Sequence, residues 1–233
     1  MRVSHAVGAG IVLLGIFQTA EAAFVTPTEW TRPATDAEAQ TERTTFQEWN
    51  VFASPAGPND PDVAEINPNA GIGNLFDTSG SSFVTGGGNI YSPSAVLSLD
   101  ADIPSYGLGA GYGTTVLFQL RSLGNEADYD TVRLTYEDGD GTAQTISALS
   151  RQELERIQLG GFGGSQVDSL FVVDVPFSPE SFKIEFDAAG TSLSVDRVAV
   201  DTFTSVVPEP TGAMGLLIAA GLLSARVRRR PRN

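Results

Sequence analysis

Four segments of the chain alternate between apolar and mostly polar residues. Leu97, Leu99, Ala101 and Ile103 alternate with Ser98, Asp100 and Asp102, and Val116, Phe118 and Leu120 with Leu117, Gln119 and Arg121. Val132, Leu134 and Tyr136 alternate with Arg133, Thr135 and Glu137, and Phe182, Ile184 and Phe186 with Lys183, Glu185 and Asp187. A period of two with one polar face predicts half-buried strands. Leu170–Val175 is almost continuously apolar and predicts a more central strand, while Thr44–Phe52, rich in Thr and aromatics, predicts another. Gly-, Pro- and Asn-rich clusters at Ser54–Pro61, Asn67–Asn74, Thr78–Asn89, Tyr106–Gly113 and Asp138–Gly141 separate these runs as turns. The expectation is one all-β domain over residues 44–204, a two-sheet antiparallel β-sandwich of jelly-roll type.

Some local signals depart from simple alternation. Leu193 and Val195 occupy one parity and Val198 and Val200 the other, so a β-bulge at Asp196-Arg197 is predicted to return both pairs to the core. Ser150-Arg-Gln-Glu153 has the spacing of a capping box. Leu154 and Ile157 follow at helical spacing and Gly160-Gly161 stops them, which predicts one short helix. Asp138-Gly-Asp-Gly141 reads as a type I′ hairpin turn. As a calcium loop counted from Asp138 it would need Gly at 143 and Glu at 149, where the chain has Ala143 and Leu149. Residues 23–43, polar and carrying Pro27 and Pro33, read as a flexible arm with a helical turn or two over Asp36–Arg43.

The two ends carry targeting signals. Arg2 and His5 precede an apolar run from Ala6 to Phe17, and Ala20-Glu21-Ala22 puts small residues at the positions a signal peptidase reads. Residues 1–22 are therefore expected to be a helical signal peptide cut after Ala22. At the other end, Val207-Pro208-Glu209-Pro210-Thr211 is followed by an uncharged run, Gly212–Ala225, and then by Arg226, Arg228, Arg229, Arg230 and Arg232. A transmembrane helix over 211–225 is shorter than the roughly 20 residues a span usually takes, so it needs help from Val206, Val207, the Arg stems or a thinned bilayer. The arginines are expected to stay cytoplasmic, leaving the preceding domain outside. The prolines keep the box extended, as a processing enzyme requires.

Together the Pro-Glu-Pro box, the Leu pairs at 216–217 and 222–223 and the Arg cluster resemble the sorting tail of the PEP-CTERM family of exported proteins. The resemblance covers residues 205–233 and implies an exosortase-type processing enzyme as partner. Pro208, Glu209 and Pro210 would be its substrate, with Arg226, Arg228, Arg229 and Arg230 as the sorting cluster. It also implies anchoring through the C-terminal helix, at least transiently, and a final place at the cell surface or outside the cell. The body of the chain more loosely resembles the sandwich domains found ahead of such tails, through Phe46–Phe52 and Leu193–Asp201.

Composition narrows the chemistry. Residues 23–207 hold 8 Lys and Arg against 26 Asp and Glu, a net charge of −18. Such a surface excludes nucleic acid as a partner and favours cations or neutral extracellular glycans. The chain has no cysteine, and its one histidine, His5, lies in the expected leader. That removes Ser-His-Asp and Cys-His hydrolysis and the usual zinc, copper and iron sites. Carboxylate chemistry remains, as do possible structural calcium sites built from Asp128 and Asp130 with Asp196 or Asp201. Asn125 and Glu126 belong to the same acidic loop, and Asp60, Asp62 and Glu65 form another. Tyr91, Tyr106 and Tyr112 are candidate sugar-stacking residues on Gly-rich rims, whereas Trp49 reads as core and Lys183 as an outward charge. No catalytic residue is nominated, and no cofactor beyond calcium. The resulting expectation is a non-enzymatic surface or matrix protein with a structural or glycan-interacting role. A carboxylate-based glycoside hydrolase or a polysaccharide lyase is the alternative.

Overall fold

The computed structural model describes residues 24–66, 72–147, 149–160 and 163–207, apart from the side chains of 63–66. Thirteen strands form two antiparallel sheets among these residues. The larger sheet contains β1 (Thr44–Trp49), β2 (Val63–Ile66), β4 (Phe83–Val84), β5 (Ile90–Ser92), β7 (Tyr112–Gly124), β10 (Ser150–Gln158), β11 (Ser165–Val175) and β13 (Leu193–Val206). Its order is β10-β11-β7-β13-β1-β2, and the short β4–β5 hairpin attaches to the start of β13. The smaller sheet contains β3 (Asn74–Asp77), β6 (Ser98–Pro104), β8 (Ala127–Glu137), β9 (Ala143–Ile146) and β12 (Ser181–Ala188), in the order β3-β6-β12-β8-β9.

Alternation built the core as expected. Val116, Phe118 and Leu120 of β7 and Phe171 and Val173 of β11 face Leu99, Ala101 and Ile103 of β6, Leu134 of β8 and Ile184 of β12, all buried in one cluster with Trp49. Burying each large apolar side chain stabilises the sandwich by about 1.5–3 kcal/mol. Leu170–Val175 lies in an internal strand, with β10 on one side and β7 on the other. The bulge falls where the parity change requires it. The β13–β7 register shifts between Val195, opposite Ser122, and Arg197, opposite Arg121. Leu193, Val195, Val198 and Val200 are all fully buried as a result.

Local propensity fails at residues 150–158. The expected helix is instead the edge strand β10, paired with β11 from Ser150↔Val172 to Gln158↔Ser165. The capping-box residues are spent on sheet contacts. Arg151 donates to Ser169 Oγ at 3.2 Å, and Glu153 binds Arg156 from the same strand. A row of unpaired backbone groups along β11 outweighs a weak preference for helix. The residues around Asp138 turn as expected, but not in the type I′ form. Gly141 N–H donates to the Asp138 carbonyl at 2.9 Å, and Gly141 (φ 73°) alone in the turn adopts positive φ, the pattern of a type I turn closed by a left-handed glycine.

Residues 24–43, expected as a flexible arm, lie against the outer face of the larger sheet. Val25 N–H donates to Gln119 Oε1 at 2.7 Å, and Gln119 Nε2 donates back to the Val25 carbonyl at 2.9 Å. Trp30 stacks on Phe203 with ring centroids 5.4 Å apart. The arm ends in the helix α1 (Asp36–Glu42), capped by Thr35, whose Oγ1 accepts from Glu38 N–H at 3.3 Å. Among the described residues no helix is long and apolar enough to cross a membrane. The expected signal peptide with Ala20 and Ala22 lies outside the described residues, as do the expected helix at 211–225 and the residues Pro208, Glu209, Pro210, Arg226, Arg228, Arg229 and Arg230.

Candidate functional site

The four acids expected to share a calcium do not come together. Asp128 and Asp130 lie on β8 in the smaller sheet, where Asp128 Oδ1 accepts from Asp130 N–H at 3.2 Å. They line an open depression of about 400 Å³ with Asn125, Glu126, Tyr129 and Ala189. Asp196 and Asp201 belong to β13 in the larger sheet. Asp201 is fully buried and accepts two bonds from Arg32, at 2.5 and 2.7 Å, while Asp196 lies 3.9 Å from Arg121. Among the described residues no group of three or more acidic side chains could hold a metal ion. Asp62 is occupied by the backbone N–H groups of Asn50 and Val51.

The buried acids Glu48, Asp77, Asp168 and Asp201 are each committed to structural partners. Arg121 binds Asp168 at 2.7 Å, Arg197 binds Glu48 at 2.8 Å, and Asp77 accepts from Ser79 N–H at 2.7 Å and Ser82 Oγ at 2.7 Å. Burial pushes the Asp201 carboxyl upward while the Arg32 guanidinium pulls against it. At the rim of the depression, Arg156 grips Glu126 with bonds of 2.6 and 3.0 Å and Glu153 with bonds of 3.0 and 2.8 Å. These bonds hold both carboxyls below the usual carboxylate range. Arg151 stacks 3.4 Å above the centre of the Tyr129 ring. Lys183, the expected outward charge, is half exposed and bonds Asp100 at 3.0 Å.

The three tyrosines part company. Tyr106 is buried, and its hydroxyl faces the carbonyls of Ala39 and Thr44. Burial, then the charge of Asp36, pushes that hydroxyl well above the ordinary tyrosine range. Its loop is pinned too, with Ser105 N–H donating to the Glu180 carbonyl and Gly107 N–H to the Pro179 carbonyl. Tyr106 is a latch between α1 and β1 rather than a rim residue. Tyr112 begins β7, with the Arg43 guanidinium 5.1 Å from its ring centre.

Tyr91 alone of the three belongs to a larger feature. Across the outer face of the larger sheet, the register places Phe83 opposite Tyr91, Tyr91 opposite Ser194, Ser194 opposite Leu123, Leu123 opposite Gln166, and Gln166 opposite Ile157. Directly paired residues share a face, so these six form one row across β4, β5, β13, β7, β11 and β10. Five strand spacings make it about 24 Å long. Phe83 and Ile157 at its ends are 48% and 45% exposed, and the four between them are half-buried. The Phe83 and Tyr91 rings meet edge to face at 5.6 Å. The neighbouring row, Arg197, Arg121 and Asp168, is charged, and Phe24 of the arm covers it, lying 4.4 Å from Arg197 and 5.9 Å from Arg121. Among the described residues the arm lies over this charged row, beside the uncharged one. Alternation alone could not show this. Phe83 sits in a Gly-rich cluster read as a turn, and the only local clue was the pair Phe83-Val84 facing Ile90-Tyr91 across Gly86-Gly87-Gly88.

No family model and no curated protein matches the chain. Among solved structures, the crystal structure of the enzymatically active domain of bacteriophage CBA120 tailspike protein 4 is similar at 12% identity and a TM-score of 0.27, covering 75% of this chain. The chain spans 21% of the length of that tailspike chain.

Proposed function

We propose that this protein is an exported β-sandwich that serves at the cell surface or in the extracellular matrix as a non-enzymatic module, structural or glycan-interacting. Its ends supply the route: a signal peptide through Ala22, and a tail that resembles a PEP-CTERM sorting signal and is presented to an exosortase-type enzyme at Pro208-Glu209-Pro210. The observation that carries the role is the open, uncharged row on the outer face of the larger sheet. In the competing reading, a carboxylate-based glycoside hydrolase or lyase, a pair of free acids would have to flank a bond. Among the buried acids, Glu48, Asp168 and Asp201 are each paired with an arginine and Asp77 is held by serine and backbone donors, which leaves Asp128 and Asp130 at the open depression as the pair that reading would use.

The test is to insert an epitope at the exposed Gly86-Gly87 turn of the full chain and probe intact cells. Surface labelling is expected, with a mature N-terminus at Ala23 and the chain either membrane-held or shortened near Pro208. Labelling only after lysis, on a chain retaining both Arg2 and Arg230, overturns the proposal.

A further inference from the structure

We infer that the row Phe83–Tyr91–Ser194–Leu123–Gln166–Ile157 is a binding strip for a neutral, linear polysaccharide laid across the strands of the larger sheet. The inference rests on the surface-module reading and names the ligand of its exposed face.

The strip combines two kinds of surface in one line. Phe83, Tyr91, Leu123 and Ile157 present apolar area, and the Tyr91 hydroxyl, Ser194 hydroxyl and Gln166 amide are set among them. Among the described residues these three polar groups have no hydrogen-bond partner, so their donors and acceptors are open to a ligand. A sugar chain has the complementary surface, with C–H faces that pack on rings and hydroxyl edges that bond to hydroxyls and amides. A row across a sheet face is an open surface rather than a pocket. An extended chain fits that shape better than a small molecule, which prefers a concave site.

Charge selects among polymers. The strip contains no Asp, Glu, Lys, Arg or His, and the exported part carries −18. Anionic polysaccharides and nucleic acid are repelled, while a neutral chain loses nothing on approach. Another protein is a poorer fit. The strip is one residue wide, and two of its six members are polar, far from the broad apolar core of a standard interface.

The test is a pull-down of the exported protein, purified from expressing cells, on insoluble cellulose, chitin and starch, with polygalacturonate as the anionic control. Retention on at least one neutral polymer and none on polygalacturonate is expected. Phe83→Ala and Tyr91→Ala are each expected to weaken that retention about tenfold, the equivalent of a loss of about 1.4 kcal/mol. Gln166→Ala removes a surface amide without touching the core and should weaken it several-fold at an unchanged melting temperature, which separates loss of binding from loss of fold. Tyr112→Ala, off the strip, should leave retention unchanged. No retention on any neutral polymer overturns the inference while leaving surface localisation to its own test. Retention unaffected by all three strip variants also overturns it, as does a self-associated species that Phe83→Ala dissolves, which would reassign the strip to contact between copies.

Discussion

Replacing Arg32 by methionine removes a guanidinium and keeps most of the stem that carries it. In the folded protein Arg32 reaches across the outer face of the larger sheet to Asp201, 169 residues away, with bonds of 2.5 and 2.7 Å, and lies 3.8 Å from the centre of the Phe46 ring. The two partners are not equivalent. The Arg32 side chain keeps 21% of its exposure, whereas that of Asp201 keeps none. Loss of the arginine strands a carboxylate that cannot reach water, at a cost of about 3–5 kcal/mol. Loss of the acid frees a guanidinium that can turn outward, so Asp201→Asn should cost closer to about 1 kcal/mol. At about 2–4 °C per kcal/mol for a domain of this size, Arg32→Met is expected to lower the melting temperature by about 10 °C. The assay is thermal unfolding followed by far-ultraviolet circular dichroism, and the double variant Arg32→Met/Asp201→Leu should recover most of the loss. The pH dependence has a definite sign. A carboxyl whose folded pKa is raised binds its proton more readily in the folded state, so stability falls as pH rises through that value. Without Arg32 to oppose burial, Asp201 rises further, and the deficit of Arg32→Met should shrink at acid pH. A melting temperature within about 2 °C of the parent, or a larger loss from Asp201→Asn than from Arg32→Met, would refute the view that the arm completes the fold.

Deleting Asp196 removes the extra residue of the β13 bulge and should turn Leu193 and Val195 away from the core if the downstream register holds. The variant is expected to lose its cooperative unfolding transition, and a parent-like melting curve would count against the register. For the parent, burial works against the Asp77 carboxylate, but bonds from Ser79 and Ser82 outweigh it and hold its pKa low, and Arg133 does the same for Glu185. Their stabilisation is present above the ordinary carboxylate range and lost as pH falls through the lowered folded values. The melting temperature should therefore drop below about pH 4, and Asp77→Asn should flatten part of that slope. Because Asp128, Asp130, Asp196 and Asp201 do not converge, melting in millimolar calcium and in chelator should coincide; a calcium-dependent rise of several degrees would require another cation site.

Much of the fold was legible because a strand carries its own bookkeeping: side chains alternate, and a change of parity has to be absorbed by a bulge. Leu99, Leu134, Ile184 and the pairs either side of Asp196 were placed correctly by that rule alone. Residues 150–158 were misread because Ser150–Glu153 and the leucine and isoleucine that follow satisfy helical spacing, while the pull of the β11 edge is not written in them. The docking contacts of residues 24–43 were not legible for a related reason. Phe24, Trp30 and Arg32 look like isolated residues in a polar segment, and their partners Arg197, Phe203 and Asp201 lie at the far end of the chain.

The candidate site divides in the same way. Tyr91 could be singled out from its neighbours in sequence, but its fate differs from that of Tyr106 only because one faces solvent beside Phe83 and the other faces the carbonyls of Ala39 and Thr44. By itself the sequence determined the all-β class, the core-facing parity and the acidic, histidine-free character of residues 23–207, because these depend on residue type and near-neighbour spacing. Only the tertiary structure decided which acids are neutralised, that the arm docks, and that six residues from six strands line up in one row. Those facts depend on which distant segments pair and in what register, and pairing is settled by the burial and hydrogen bonding of the whole sheet rather than by any one strand.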